Sequence, residues 1–314
     1  MDDLAALRAL LLAKRYTNYT CCAGYTLIIA DYVHTFPDEV RLVWPRPWGL
    51  PKALFLFVRY YTLIVIVGQG FRLGTRFPPT LTLLQCRRLF IFSGLSFAAV
   101  LFGSEAILFV RVHAFSGRGR KMLAYLIIQY VVIQGAILFL IVKFLREMHF
   151  TSPLPTAVRS PFPELQFCRP FEAQKTLIGA AFVLMLGSIT VIMFIMGYLA
   201  HQKHRGLRSE LLRVFYKDGI TYFICLSIMT SVNVFITFAA PKDLQFLFLE
   251  MEVALHGILS TRMILHLRKA DAQAFGHDSF EDLQQRGGMQ MSSLRFEPHP
   301  QDTQSSAPAV ETSP

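Results

Sequence analysis

The chain has 314 residues, of which 53% are hydrophobic and only 17% are charged, against about 25% charged residues in ordinary soluble domains. The apolar residues are collected in long runs, which is typical of membrane proteins. A formal charge of +10 would suit nucleic acid in a soluble protein, but here the basic residues lie mostly between apolar runs, where they meet lipid headgroups. The composition therefore excludes an ordinary soluble domain and argues against a nucleic-acid partner.

The first 16 residues, "MDDLAALRALLLAKRY", begin with two acids and precede no small-residue cleavage site. They lack the basic start of a secretory signal. We therefore interpret residues 1–16 as a short N-terminal amphipathic segment.

Seven apolar runs follow, and each approaches the roughly 20 residues that a membrane-spanning helix needs. None alternates with the period of a barrel strand. The predicted fold is an all-α integral membrane bundle of seven transmembrane helices with receptor-like up-down topology, in residues 17–270. The predicted spans are 17–35, 53–70, 89–111, 122–142, 176–200, 219–240 and 245–265.

The connecting segments indicate an orientation. Lys and Arg counts on the two sides differ little, but "GRGRK" and "HQKHRGLR" are compact clusters on one side, which favours the cytosol there. We expect the N-terminus outside and the C-terminus in the cytosol, in the plasma membrane or another secretory-pathway membrane. Residues 271–314 are rich in Ser, Thr, Pro and Gln and are predicted to be a disordered cytosolic tail.

Two further features concern the opposite, outer side. Asn18 opens an "NYT" glycosylation sequon close to the first span. Cys86 precedes the third span and Cys168 lies in the proline-rich segment between the fourth and fifth. Their segments share a side in any topology, so a disulfide between them is chemically allowed if that side is lumenal.

The stretch "DYVHTFPDEVRLVWPRPW" contains both tryptophans of the chain. We interpret it as the connector between the first two helices, with Asp31 closing the first helix and Pro37 ending it. Asp38 and Glu39 then cap the helix or pair with Arg41 and Arg46. Trp44 and Trp48 fit the headgroup depth that amphipathic rings prefer.

The same stretch, extended to "KALFLFVRY", resembles the N-terminal signature of a large family of uncharacterised multi-span proteins from basidiomycete fungi. Similar motifs recur in "SEAILFVRVHAFSGRGRK", "LLRVFYKDGITYF" and "LSTRMILHLRKA". The resemblance implies a seven-span fold and a membrane location but no activity, and it departs at His113, where the family pattern has tyrosine. The signature region spans 20–65, and its residues are Asp31, Tyr32, Asp38, Glu39, Val40, Trp44, Lys52, Phe55, Arg59 and Tyr60.

Ionisable residues inside the spans are the first candidates for function, because burying them in lipid is costly. Five of them fall at one depth and are predicted to form a polar clasp. Arg59 is expected to bind a carboxylate of Asp31 or Glu105 through its planar fork. A structural clasp, a conformational switch and a proton relay all remain open. The predicted members are Asp31, Arg59, Glu105, Asp218 and Arg262.

A second candidate lies in the last span, where Glu252 and His256 are four residues apart and so share a helix face. They are candidates for contact with a ligand or an ion, for proton movement, or for a simple hydrogen-bonded pair. A zinc site needs three or four convergent ligands, and no His-Glu-x-x-His or clustered Cys/His pattern occurs. We therefore expect neither a metal nor any other cofactor.

No nucleophile elbow or glycine-rich phosphate loop is present, so we do not expect an enzyme. Receptor-like sensing or signalling is the preferred hypothesis, and it rests on architecture alone. The alternatives are a small-molecule or proton-coupled transporter, a membrane-embedded enzyme, and a scaffold. Expected partners are the bilayer, anionic headgroups at the basic loops and a cytosolic signalling protein.

Overall fold

The computed structural model describes residues 2–74, 83–117, 119–151, 169–171, 174–204, 210–241 and 244–293. Some side chains within these ranges, including those of Cys86 and Asp218, fall outside the description. The chain divides into two units, Met1–Lys269 and Ala270–Pro314. The described part of the second unit is helical through Ser293, which differs from the disorder predicted for residues 271–314.

Seven helices and one short hairpin make up the described residues. The helices are α1 (Asp2–Leu42), α2 (Leu50–Gly74), α3 (Leu83–Phe115), α4 (Arg120–Glu147), α5 (Lys175–His204), α6 (Glu210–Ala239) and α7 (Leu249–Ser293). Strands β1 (His149–Thr151) and β2 (Arg169–Phe171) follow α4. They pair antiparallel, with Phe150 opposite Pro170. The all-α class predicted from the sequence is confirmed.

Helix α1 is longer than the sequence predicted. It runs without a break through residues 1–16 of the predicted amphipathic segment, from Asp2 onward, and continues past Asp31 and Pro37. The prediction that Pro37 ends this helix is wrong, because the proline costs one backbone hydrogen bond and the surrounding contacts retain the helix. Its end lies five residues later, where the Glu39 carbonyl accepts the amides of Val43 and Trp44.

Helix α3 lies at the centre of the bundle and packs against α2, α4 and α5. In its most apolar stretch 72% of residues are buried, against 17% in α4. Aliphatic and aromatic side chains from several helices fill the space around α3. Fully buried examples are Phe55, Val100, Leu108, Val112, Ile189, Ile192, Phe223, Leu226 and Met263.

Among the described residues, five helices are long and apolar enough to cross a membrane. They are Leu50–Gln69, Arg87–Phe115, Arg120–Glu147, Lys175–Leu199 and Gly219–Ala239. Many apolar side chains on their outer faces are exposed, among them Ile128, Phe139 and Phe235, as expected for surfaces that contact lipid tails. Helices α1 and α7 are not among these five. The fold therefore indicates a multi-pass integral membrane protein.

Candidate functional site

One face of α1 carries a row of buried polar residues. Asp31, Thr35 and Glu39 are spaced four apart, so a helix brings them into line, and all three are buried. The row faces α2, and Thr35 donates its hydroxyl hydrogen bond to the Asp31 carbonyl at 2.7 Å. This alignment exists only because α1 continues through Pro37.

Arg59 of α2 binds the whole row. Its Nε lies 2.5 Å from Glu39 Oε2, and its Nη1 lies 3.6 Å from Asp31 Oδ2. Its Nη2 donates to Thr35 Oγ1 at 2.7 Å and to the Tyr32 carbonyl at 3.2 Å. The guanidinium also lies over the Tyr32 ring, 5.0 Å from its centre. One buried cation therefore forms ion pairs through Nε and Nη1 and hydrogen bonds through Nη2, all with residues of α1.

A second arginine reaches the same row from α7. Arg262 donates its Nε to Asp31 Oδ1, so Asp31 lies between two arginines. The Arg262 side chain is 39% exposed, whereas those of Arg59 and Asp31 are 4% and 7% exposed. We call the four residues Asp31, Glu39, Arg59 and Arg262 the ionic clasp, and it joins α1, α2 and α7.

The α1–α2 connector closes over Glu39. Glu39 Oε1 accepts hydrogen bonds from Tyr60 Oη at 2.8 Å and from Trp44 Nε1 at 3.0 Å. Lys52 donates to the carbonyls of Trp44 and Arg46, so it holds the turn between the helices. The described partners of the Glu39 carboxylate are Arg59, Tyr60 and Trp44, whereas the sequence predicted Arg41 or Arg46. The connector shields the Arg59–Glu39 pair from water.

Two predicted members of the clasp, Glu105 and Asp218, are not among its four residues. The described hydrogen bonds of Glu105 go to Gln134 of α4 and Ser188 of α5, so the described contacts do not bring it to Arg59. The side chain of Asp218 lies outside the described residues. Glu39 was missed, although its four-residue spacing from Asp31 and Thr35 was a usable signal. That signal was lost because the helix was predicted to end at Pro37.

A second polar cluster lies deeper in the bundle, around Glu252 of α7. Thr230 Oγ1 donates to Glu252 Oε1 at 2.5 Å, and Asn233 Nδ2 donates to Oε2 at 2.8 Å. His256 Nε2 lies 3.1 Å from Oε1. All four side chains are buried. Two donors, from Thr230 and Asn233, and one imidazole nitrogen therefore converge on one buried carboxylate.

Glu105 of α3 is also part of this region. Gln134 of α4 donates its Nε2 to Glu105 Oε2, and Ser188 of α5 donates to the same oxygen at 3.4 Å. Glu105 interacts electrostatically with both His256 and Glu252. We call Glu105, Glu252 and His256 the core triad. It lies among α3, α4, α5, α6 and α7, and it is separate from the ionic clasp.

Two atoms of the core triad have no hydrogen-bond partner among the described residues. They are Glu105 Oε1 and His256 Nδ1. Buried polar atoms are paired in the great majority of cases, and the exceptions often mark a functional group. Within the described residues no three His, Cys, Asp or Glu side chains converge to hold a metal ion.

The described cavities do not enclose a ligand-sized chamber at either cluster. Beside the clasp a space of about 20 Å³ is bordered by Asp31, Arg59 and Gly257, which suits a single water molecule. A larger groove of about 540 Å³ lies between α5 and α6, lined by Met193, Ile228, Phe235 and their neighbours. Its exposed apolar lining points it toward the lipid rather than toward the core triad.

The other candidates from the sequence are the predicted disulfide, the Glu252–His256 pair and the two tryptophans. Cys168 and the Cys86 side chain lie outside the described residues, so their predicted disulfide stays a prediction. Glu252 and His256 are brought into direct contact, while their predicted role in binding a ligand or ion is untested. Trp44 and Trp48 are 51% and 77% exposed, as rings at a headgroup boundary would be.

The five apolar helices and the buried ionic contacts define an all-α, multi-pass integral membrane protein. Residues 19–64 match the model of a family of unknown function, DUF6533. No curated protein and no solved structure matches the chain. The matched segment contains three members of the ionic clasp, Asp31, Glu39 and Arg59. Arg262 and the core triad lie outside it.

Proposed function

We propose that this protein is a receptor-like sensor with seven membrane spans, in which the ionic clasp is the conformational switch. The observation that carries this proposal is the position of Asp31 between Arg59 and Arg262. One carboxylate shared by two arginines from different helices has two ways to pair. A movement of α7 exchanges one arrangement for the other without leaving a buried charge alone.

The proposal of seven spans depends on the pairing of the charged residues of α1 and α7. Helices α1 and α7 are not among the five apolar spans, but the ionic clasp that joins them combines two acids with two bases and is formally neutral. Charges that face the bundle interior and pair with one another are tolerated inside a membrane. Contacts along α1 and α7 support this placement: Thr20 donates to the Leu247 carbonyl at 2.8 Å, and Gly24 approaches Ala254.

The switch is argued from the unequal burial of the two arginines. Arg59 is buried and holds Glu39, Thr35 and Asp31 together, so it fixes α2 to α1. Arg262 is 39% exposed, so its contact with Asp31 costs less to break. Breaking a buried pair leaves an uncompensated charge, whereas breaking an exposed one is screened by solvent. Helix α7 is therefore the mobile partner, and interhelical ion pairs that are remade in this way are a known switching device.

The proposal includes an orientation and partners. The clasp and the exposed tryptophans face the cytosol, and the basic loops bind anionic headgroups. A cytosolic signalling protein binds at the clasp end, and the protein does not catalyse a reaction. Protease treatment of sealed vesicles that carry the full chain tests the orientation. Removal of residues 271–314 from the cytosolic side supports it, and full protection of these residues contradicts it.

The signalling role can be tested with purified protein in nanodiscs. Wild-type protein and Arg262→Gln are incubated with a panel of heterotrimeric G proteins, and guanine-nucleotide exchange is measured. We expect exchange above empty discs, with a higher rate for Arg262→Gln, because the α7 contact is lost. Lys143→Gln, at the far end of α4, is the matched control and leaves the rate unchanged. Exchange at the level of empty discs for both proteins contradicts the proposal.

A proton-coupled transporter is the second candidate, favoured by the two carboxylates and one imidazole of the core triad. Liposomes that contain the protein and an internal pH-sensitive dye separate the two functions. A transporter carries protons down a pH gradient when its substrate is present, whereas a sensor leaves the internal pH unchanged. Flux above that of protein-free liposomes would favour transport over sensing.

A further inference from the structure

The core triad combines two carboxylates and one imidazole in the interior of the bundle. If Glu105 and Glu252 are ionised and His256 is neutral, the triad carries a charge of −2. A buried charge of this size is costly unless cations or protons neutralise it. The side chains around the triad indicate whether a cation or a proton neutralises it.

Polar but uncharged side chains from three helices surround the triad. Helix α4 contributes Gln134 and Tyr130, and Tyr130 donates to the Phe102 carbonyl at 3.0 Å. Helix α5 contributes Ser188, and α6 contributes Thr230 and Asn233. The charged groups that interact electrostatically with Glu105 are His256 and Glu252.

The nearest basic side chains are engaged elsewhere. Arg59 and Arg262 of the clasp bind Asp31 and Glu39. Arg111, six residues beyond Glu105 on α3, packs against Gly219 of α6. The charged groups that act on Glu105 are His256 and Glu252, and the described residues contain no group of three metal ligands.

We propose that the core triad is a proton-binding site, with one proton on His256 Nδ1 and one on the Glu105 carboxyl. Within the triad, His256 Nδ1 and the Glu105 oxygen Oε1 are the atoms that have no hydrogen-bond partner among the described residues. Glu252 is assigned no proton, since it already accepts hydrogen bonds from Thr230 and Asn233. With both protons bound, the charges of Glu252 and His256 cancel, Glu105 is neutral, and the triad carries no net charge. Loss of both protons returns it to −2.

The Gln134 amide suits this assignment. Its Oε1 is buried without a hydrogen-bond partner in the described residues. An amide's oxygen and nitrogen can exchange places by a half-turn. After that turn the Gln134 amide oxygen lies beside Glu105 Oε2 and can accept a proton that this carboxyl oxygen carries.

The site does not depend on the signalling proposal, because a sensor and a transporter could both use it. The test measures protonation directly, by infrared spectroscopy of the full chain in phosphatidylcholine nanodiscs between pH 5 and 9. We expect a protonated-carboxyl band at pH 7 in the wild type. Glu105→Gln removes it, while Glu147→Gln, a partly exposed carboxyl at the end of α4, retains it. Absence of the band at pH 7, or its persistence in Glu105→Gln, overturns the proposal.

Unfolding provides a second, independent readout. At neutral pH the folded triad holds protons that an unfolded glutamate has released, so the free energy of unfolding falls as pH rises. One such proton changes the unfolding constant by about tenfold per pH unit. Glu105→Gln lowers this dependence by that amount, and His256→Gln lowers it further above the usual range of histidine titration. A dependence that is identical in the wild type and Glu105→Gln contradicts the site.

Sodium is the alternative ligand, and the same nanodisc sample can be used to test for it. The infrared band and the stability are measured at fixed pH with sodium or with choline as the cation. No change between the two supports proton binding. A band that disappears with sodium and not with choline would assign the site to the metal cation and overturn the proposal.

Discussion

Glu39 Oε2 of α1 and Arg59 Nε of α2 lie 2.5 Å apart in the bundle interior, with side chains 0% and 4% exposed. This contact connects the end of the first helix to the middle of the second. Tyr60 and Trp44 occupy the other carboxylate oxygen of Glu39. The pair is therefore excluded from water, and its disruption leaves a charge that the surroundings cannot solvate.

Glu39→Gln is expected to destabilise the protein by about 3–5 kcal/mol, because it removes one partner of a buried ion pair. The free energy of unfolding in mixed micelles is the measurement. Lys143→Gln is the matched control, since it breaks the exposed pair with Glu147, 3.8 Å apart, and should cost at most about 1 kcal/mol. Equal losses in the two variants would contradict the shielding of the clasp.

Arg262→Gln is expected to destabilise the protein less than Glu39→Gln, by about 1 kcal/mol or less, because its side chain is partly exposed and screened. Arg59 keeps Asp31 paired in this variant. Asp31→Asn removes the acceptor of both arginines and should cost more than Arg262→Gln. The two unfolding free energies, measured side by side, check the order. A reversed order would mean that Arg262 carries the main contact.

Asn233→Ala is expected to cost about 1.5–3 kcal/mol, the range for a hydrogen bond to a charged group, because it leaves Glu252 Oε2 without its α6 donor. Ser231→Ala, two residues away on the exposed side of α6, removes only a bond to its own helix. That control should change the unfolding free energy by less than about 0.5 kcal/mol. A small loss for Asn233→Ala would show that another donor replaces it.

Gly103→Ala is expected to loosen the contact between α3 and α2. A Cβ at this position would lie 2.8 Å from Val58 Cγ2 and 2.9 Å from Phe57 Cε1. Val58 is fully buried and cannot withdraw, so the overpacking should cost about 1–3 kcal/mol. At Gly135 of α4 nothing lies within 4 Å. Gly135→Ala should be neutral or stabilising by helix propensity, and a matching loss there would refute the close-packing argument.

The buried acids Glu252 and Glu105 show which contacts residue spacing along one helix can predict. Spacing alone placed Glu252 and His256 on one helix face, and the structure has them in contact at 3.1 Å, because four residues make about one helical turn. The same reasoning could not assign partners to Glu105. Its hydrogen bonds come from Gln134 and Ser188, which are 29 and 83 residues away.

The sequence by itself determined the membrane character and the helical class. A run of about 20 apolar residues can satisfy its backbone groups in lipid only within a helix, and that argument needs no knowledge of neighbours. Charge depletion along α2 to α6 made these helices recognisable as spans. The same argument falls short at α1 and α7, whose charges need partners before they can be buried.

Only the tertiary structure decided which charges meet. The continuation of α1 through Pro37 aligned Glu39 with Asp31, and the packing of α2 and α7 then supplied Arg59 and Arg262. Whether a helix tolerates a proline depends on the contacts around it, and these lie far away in the chain. The ionic clasp and the core triad are separate for a related reason. A buried charge needs a partner, and in both clusters most partners come from other helices.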